Sequence, residues 1–203
     1  MTPLEKRQAA VYFFSFFCFG LILSIIGLAL PFLAEHTSVT LAEVSLIFTI
    51  SSIGFMFGSL TAGRMYDRYR GNVLLAAGWC LSAAAAFWIP AITSFPLLCA
   101  TIFVFGFANS TIVVGCNTMI TRVNSERTGG LLSGMHMVSG MGAFITPLIF
   151  TLVITRTGDV LLGYRLYCTV FLGAALFSIV TPTPEGNHSA EDSPAGDTGN
   201  GKR

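Results

Sequence analysis

The sequence has 203 residues, of which 53% are hydrophobic and only 10% are charged, and its mean hydropathy is +0.73. A soluble domain of this length has too little interior to bury so many apolar side chains and too few charges to cover its surface, so a soluble globular enzyme is excluded. The same composition excludes a disordered chain, and a net charge of +1 offers no basic surface for nucleic acid, which leaves a membrane protein.

Long apolar segments follow one another along the chain. A membrane-spanning helix needs about 20 mostly apolar residues. On that criterion we predict an all-α, polytopic membrane protein with a short N-terminal tail (1–7) and a bundle of six transmembrane helices (8–181). The six predicted spans are 8–34, 41–63, 72–92, 96–121, 129–155 and 160–181. A β-barrel is not expected, because no ten-residue alternation of apolar and polar residues occurs.

The absence of charge gives the clearest evidence for separate spans. Residues 71–121 contain no Asp, Glu, Lys or Arg. One helix of that length would measure about 76 Å, more than twice the thickness of a bilayer. The chain must therefore turn back near Pro90 and Pro96. The first apolar segment is too long for the core of a signal peptide and is kept as a helix.

The charges between the spans predict the orientation. If the N-terminus is cytoplasmic, the only basic residues of the sequence on the outer side are Arg156 and Arg165. The other basic residues all fall on the inner side, namely Lys6, Arg7, Arg64, Arg68, Arg70, Arg122, Arg127, Lys202 and Arg203. Basic residues concentrate in cytoplasmic loops. We therefore expect a multi-pass protein of the cell membrane with both termini in the cytoplasm.

The last segment, 182–203, has a different composition from the bundle. It is rich in Pro, Gly, Ser, Asp and Glu and cannot bury enough apolar surface to fold. It is predicted to be a disordered cytoplasmic tail or the start of an interdomain linker.

Nothing in the sequence indicates catalysis or a cofactor. The five cysteines all lie in spans without metal-ligand spacing, and there is neither a nucleophile–base pair nor a phosphate-binding glycine loop. We expect no catalytic residue, no metal site and no cofactor.

Small residues recur at helical spacing and predict close helix packing, as in Gly54 and Gly58 of the second span. Further pairs are Gly20 with Ser24, Gly106 with Ser110, Gly130 with Gly134, and Gly140 with Gly142. The pattern Phe19-Gly20 followed by Ser24 returns 86 residues later in the fourth span. This repetition suggests two copies of a three-helix unit.

The connection between the second and third spans carries a motif. Asp67 and Arg68 lie between the glycines of the second span and a later glycine, and the motif consists of Gly58, Gly63, Asp67, Arg68 and Gly71. An ordinary basic cytoplasmic loop would explain the arginines alone. The whole arrangement resembles the loop signature of the major facilitator superfamily, although Asn72 and Val73 replace the basic residues that the family has after the last glycine. The resemblance implies one six-helix half of a two-half transporter, with this loop involved in gating.

The fourth and fifth spans resemble one branch of that superfamily. Asn117, together with a polar residue followed by Gly-x-Gly-Ala and Pro147, is similar to the fucose permeases and sodium-dependent glucose transporters. The resemblance implies that His136 and Ser139 contact a sugar.

Depth within the membrane makes Asn117, His136 and Asn109 candidates for substrate contact as well. At helical rise, Asn117 and His136 lie about 7 and 12 Å from the inner surface, and Asn109 lies near the midplane. The alternative is that these side chains tie helices together by hydrogen bonds. The first and fourth spans carry no carboxylate, so either His136 carries a coupling proton, or transport through this half is uncoupled or coupled elsewhere.

These observations together predict transport of a small polar solute, a sugar or related metabolite, by alternating access. The expected partners are the solute, the lipid bilayer and a second six-helix half or a second copy of the chain, with no nucleic acid. Two alternatives remain open: a six-helix membrane scaffold or regulator that does not transport, and a drug or lipid exporter.

Overall fold

The computed structural model describes residues 1–184, and nearly all of them are helical. The six long helices are α1 (Pro3–His36), α2 (Leu41–Val44, continued after a turn at Ser45 by Leu46–Arg68), α3 (Gly71–Trp88), α4 (Phe95–Val123), α5 (Thr128–Thr157) and α6 (Val160–Val180). Each is long and apolar enough to cross a membrane, and residues 1–184 contain no strand. The prediction of an all-α bundle with six spans is confirmed.

The helices begin and end at local capping signals. At the start of α1, Thr2 and Glu5 form a reciprocal capping box and Pro3 occupies the first turn. Most of the predicted N-terminal tail (1–7) is consequently helical. α5 ends at Gly158, whose φ of +69° places it in the left-handed region that glycine adopts readily. Of the predicted C-terminal tail, only residues 182–184 are described, and the rest lies outside the described residues.

Two helix crossings bring backbones into direct contact. Where α1 crosses α5, a Cβ atom added to Gly20 would overlap the carbonyl of Ser139, and one added to Gly142 would overlap the carbonyl of Phe17. Such close approach is the main way in which membrane helices gain packing energy, because lipid is as apolar as their side chains. The small residues are therefore required at this crossing.

The crossing of α2 with α4 repeats this arrangement. A Cβ at Gly106 would overlap the carbonyl of Ser51, and one at Gly54 would overlap the carbonyl of Phe103. Gly106 lies 86 residues after Gly20, and Phe103 lies 86 residues after Phe17. Each crossing joins a helix of the first three to a helix of the last three, and the two crossings use equivalent contacts. The bundle is therefore built from two three-helix repeats.

The third extensive pairing is between α3 and α6, with α3 also packing on α4. Trp79 of α3 is fully buried, and its ring lies 5.5 Å from that of Phe171 on α6. Its indole nitrogen donates a hydrogen bond of 3.3 Å to the hydroxyl of Ser15 on α1. One side chain thus connects three helices. α2 and α5 are the least buried helices and present large apolar side chains outward.

Candidate functional site

One end of the bundle, which we call the basic end, carries most of the arginines. It contains the start of α1, the α2–α3 connection, the α4–α5 connection and the end of α6. Arg7, Arg68, Arg70, Arg122 and Arg127 lie there. The loop motif predicted from the sequence is therefore at this end.

The loop motif joins α2 to α4. An oxygen of Asp67 lies 3.5 Å from a guanidinium nitrogen of Arg122, and Asp67 is largely exposed to solvent. Gly58, two turns before the loop, packs against the side chain of Ser110, so it belongs to the α2–α4 crossing. Gly71 packs against the side chain of Met119 on α4, where a larger residue would collide. Three motif residues therefore contact α4: Gly58 and Asp67 from α2, and Gly71 from the start of α3.

For the other two motif residues, the described part of the chain shows no such contact. Arg68 is exposed. Within residues 1–184, no atom outside the helix backbone lies within 4 Å of where a Cβ of Gly63 would stand. Gly63 is thus not needed for packing in this structure.

A buried tyrosine also contributes to the packing of α2 against α4. Tyr66 is 1% exposed, and its ring lies in a notch that the absent side chain of Gly115 leaves on α4. Its hydroxyl is buried without a hydrogen-bond partner in the described part of the chain. The sequence reasoning overlooked this residue, and its only signal was an aromatic side chain directly before Asp67.

Asn72 holds three helices together at the basic end. Its side-chain oxygen accepts a 2.7 Å hydrogen bond from the hydroxyl of Tyr12 on α1, and its side-chain nitrogen donates one of 2.8 Å to the carbonyl of Thr181 after α6. Gln8 donates to the carbonyl of Pro182 at 3.0 Å. A neutral side chain that both donates and accepts therefore occupies the position after Gly71, where the sequence departs from the family signature.

Replacing Asn72 by alanine is expected to lower the free energy of unfolding by about 1–2 kcal/mol, because the Tyr12 hydroxyl and the Thr181 carbonyl lose their buried partner. Thermal unfolding in detergent measures the effect. A double-mutant cycle with Tyr12→Phe should give a coupling above about 0.5 kcal/mol. Strict additivity of the two changes would show that the hydrogen bond contributes nothing.

Two candidate residues, His136 and Asn117, have side-chain polar groups for which the described part of the chain shows no hydrogen bond. His136 is exposed on α5, and its ring packs edge-on against Phe16 of α1, with 5.2 Å between ring centroids. Asn117 is partly buried on α4, and its side-chain oxygen is buried without a hydrogen-bond partner in residues 1–184. Asn117 thus has an acceptor that the described helices leave unused. Phe16 is a contact that sequence reasoning missed, since helical spacing alone does not reveal which residue of a neighbouring helix meets His136.

The other two candidates contribute to helix packing. Ser139 is buried at the α1–α5 crossing, where its carbonyl lies against Gly20. Asn109 is 5% exposed, and its side-chain oxygen accepts a hydrogen bond of 2.8 Å from Ser82 of α3. The substrate contacts predicted for both residues remain predictions.

The candidate residues offer polar side chains but no cluster of metal ligands in the described part of the chain. In residues 1–184, no three His, Cys, Asp or Glu side chains are grouped so that they could hold a metal ion. The polar groups just described can donate and accept hydrogen bonds to an uncharged solute.

Comparison with known proteins finds several proteins of similar sequence. Over 135 residues the chain is 28% identical to sodium-dependent glucose transporter 1A of Mus musculus, covering 66% of this chain and 32% of that protein. It is 28% identical over 155 residues to bypass of stop codon protein 6 of Saccharomyces cerevisiae, covering 72% and 29%. It is 30% identical over 106 residues to the probable anion transporter 3, chloroplastic, of Arabidopsis thaliana, covering 48% and 20%. The chain thus matches about a third or less of the length of these relatives.

The family itself is established by a longer match. Residues 12–197, most of the chain, match the sequence profile of the Major Facilitator Superfamily. The six apolar helices and the repeated crossings of α1 with α5 and α2 with α4 fit one half of that fold. The chain belongs to the Major Facilitator Superfamily.

Proposed function

We propose that the chain forms one half of a transporter that moves a sugar or related small polar metabolite by alternating access. The observation that carries the proposal is the similarity to sodium-dependent glucose transporters, which extends over 66% of the chain in the mouse protein. A sugar loses its hydration on binding, and each of its hydroxyl groups then needs a new hydrogen-bond partner.

Two side chains are assigned to the solute by their surroundings. Asn117 has an amide oxygen that is buried without a partner in the described part of the chain, and a sugar hydroxyl would satisfy it. The imidazole of His136 can donate and accept, and the Phe16 ring beneath it supplies an apolar wall. Ser139 and Asn109 are proposed as neighbouring contacts that also hold the helices in place.

Alternating access requires two halves that move about a shared site. The second six-helix half, or a second copy of this chain, is proposed to cover the exposed faces of α2 and α5, where Leu60 is 66% and Phe144 is 74% exposed. The Asp67–Arg122 pair at the basic end would gate this movement. We propose that the basic end faces the cytoplasm of a cell membrane, because basic residues favour that side.

Uptake into proteoliposomes tests the proposal. With the complete transporter reconstituted and radiolabelled glucose and related sugars as solutes, saturable uptake is expected. His136→Ala should reduce the initial rate at least about tenfold, the effect of losing roughly one hydrogen bond to the solute. The matched control is His36→Ala. His36 also stacks on a phenylalanine, Phe32, but it is the last residue of α1, at the end of that helix away from the basic end. This substitution should leave the rate unchanged.

Asn117→Ala should reduce uptake to a similar degree while the protein still elutes as a single species from a sizing column. Equal rates for wild type, His136→Ala and Asn117→Ala would remove both residues from the site. If the assembled protein moves none of the sugars offered, the proposed transport of sugars is wrong and the scaffold reading gains support.

A further inference from the structure

An apolar groove opens between α2 and α3 on the outer surface of the basic end. Its volume is about 470 Å³. Met65 and Tyr69 of the α2 end line one side, and Val73, Leu74 and Ala77 of α3 line the other. Arg70, in the connection between the two helices, lines the end of the groove nearest that connection, which we call its mouth. α2 and α3 make few contacts with one another, which leaves the space between them open.

The groove lies at the depth where a lipid meets the protein. Ala77 is seven residues beyond Arg70, so the apolar part of the groove extends about 10 Å from the arginine along α3. Tyr69, which is 60% exposed, lies at its mouth, and tyrosine is enriched where hydrocarbon meets headgroups. The occupant that fits an apolar channel within a membrane is an acyl chain.

The charge at the mouth decides which lipid fits. Arg64, Arg68 and Arg70 are all exposed in this stretch of the chain. The one acidic residue among them, Asp67, is paired with Arg122 of α4, so its charge is already offset. The excess of positive charge favours an anionic headgroup over a zwitterionic one.

We propose that the α2–α3 groove is a binding site for one anionic phospholipid, whose acyl chain lies along Leu74 and Ala77 and whose phosphate meets Arg70. Arg70 also borders a second hollow beside residues 179–184. Ala77 lines the α2–α3 groove but not that hollow. A substitution of Ala77 therefore distinguishes lipid binding in the groove from binding in the hollow. The proposal needs a membrane-embedded bundle and does not depend on the transported solute.

Native mass spectrometry of the purified full chain tests the proposal, with phosphatidylglycerol and phosphatidylcholine as the probes. The wild type should retain phosphatidylglycerol in preference to phosphatidylcholine, and the preference should fall as salt is raised. Arg70→Gln should weaken retention of phosphatidylglycerol about fivefold and leave phosphatidylcholine unaffected. Arg127→Gln removes an exposed arginine from the α4–α5 side of the same end and should change neither.

Ala77→Trp is designed to fill the groove without disturbing the core, because Ala77 is exposed. It should abolish the phosphatidylglycerol preference, whereas Ala84→Trp, at an exposed position two turns further along α3, should not. Wild-type retention in Arg70→Gln and Ala77→Trp would overturn the proposal. A change of oligomeric state in Ala77→Trp, with phosphatidylglycerol retained, would also overturn it and assign the groove to a second polypeptide.

Discussion

Replacing Gly20 by valine is expected to abolish the folded bundle. A Cβ atom at this position would overlap the backbone carbonyl of Ser139, and backbone cannot move aside as the end of a flexible side chain can. Separating α1 from α5 would also break the contact of Gly142 with Phe17, one turn along the same crossing. The expected result is loss of the monodisperse peak on fluorescence-detected size exclusion, with total expression unchanged.

The matched control is Gly27→Val. Gly27 lies two turns further along α1, and no atom outside its own helix backbone stands within 4 Å of its Cβ position in the described part of the chain. Valine there should leave the elution profile as it is. If Gly20→Val gives the same peak as wild type, the α1–α5 crossing is not the close backbone contact described above.

Hydropathy predicted the helices well, and the reason lies in the membrane. Every backbone polar group in hydrocarbon must be satisfied within the segment, so an apolar stretch such as 129–155 can only be a helix. The helix spans Thr128–Thr157, and Gly158 ends it at the C-terminal side. The helix ends were less predictable. They lie outside the hydrocarbon, where capping residues such as Thr2 and Glu5 decide where a helix begins or ends.

The small-residue pattern predicted close packing but not the partners. Gly54 and Gly106 do lie at a backbone contact, as their spacing suggested. Gly130, which is four residues from Gly134 just as Gly54 is from Gly58, meets nothing within 4 Å in residues 1–184, and neither does Gly140. Periodicity places residues on one face of a helix, whereas the crossing angle and the neighbouring helix decide whether that face is used.

The candidate site was predictable only as a set of residue types. Depth along the helix selected Asn109 and Asn117 alike. Asn109 accepts a hydrogen bond from Ser82, whereas the buried side-chain oxygen of Asn117 has no partner among residues 1–184. The difference is one of direction around α4, which a sequence without known neighbours does not specify. Asn72 shows the same limit, because only the structure reveals its bonds to Tyr12 and Thr181.

Trp79→Ala is the second change with a large expected effect, a loss of about 3–5 kcal/mol in the free energy of unfolding. The side chain is fully buried among α1, α3 and α6, and alanine would leave a cavity beside Phe171. It would also leave the hydroxyl of Ser15 without the indole donor. Thermal unfolding in detergent should show a midpoint lowered by several degrees, or no recoverable protein.

Two further tryptophan variants separate the cavity from the hydrogen bond. Trp88→Ala, at the end of the same helix, removes a side chain that is 62% exposed and should change the stability by no more than about 0.5 kcal/mol. Trp79→Phe keeps an aromatic ring but removes the donor to Ser15, so it should cost about 1 kcal/mol from the hydrogen bond in addition to a smaller cavity. Should Trp79→Ala and Trp88→Ala unfold at the same temperature, packing of α3 against α1 and α6 does not limit the stability of the bundle. A clear gap between them would place that limit at the buried Trp79 and not at the exposed Trp88.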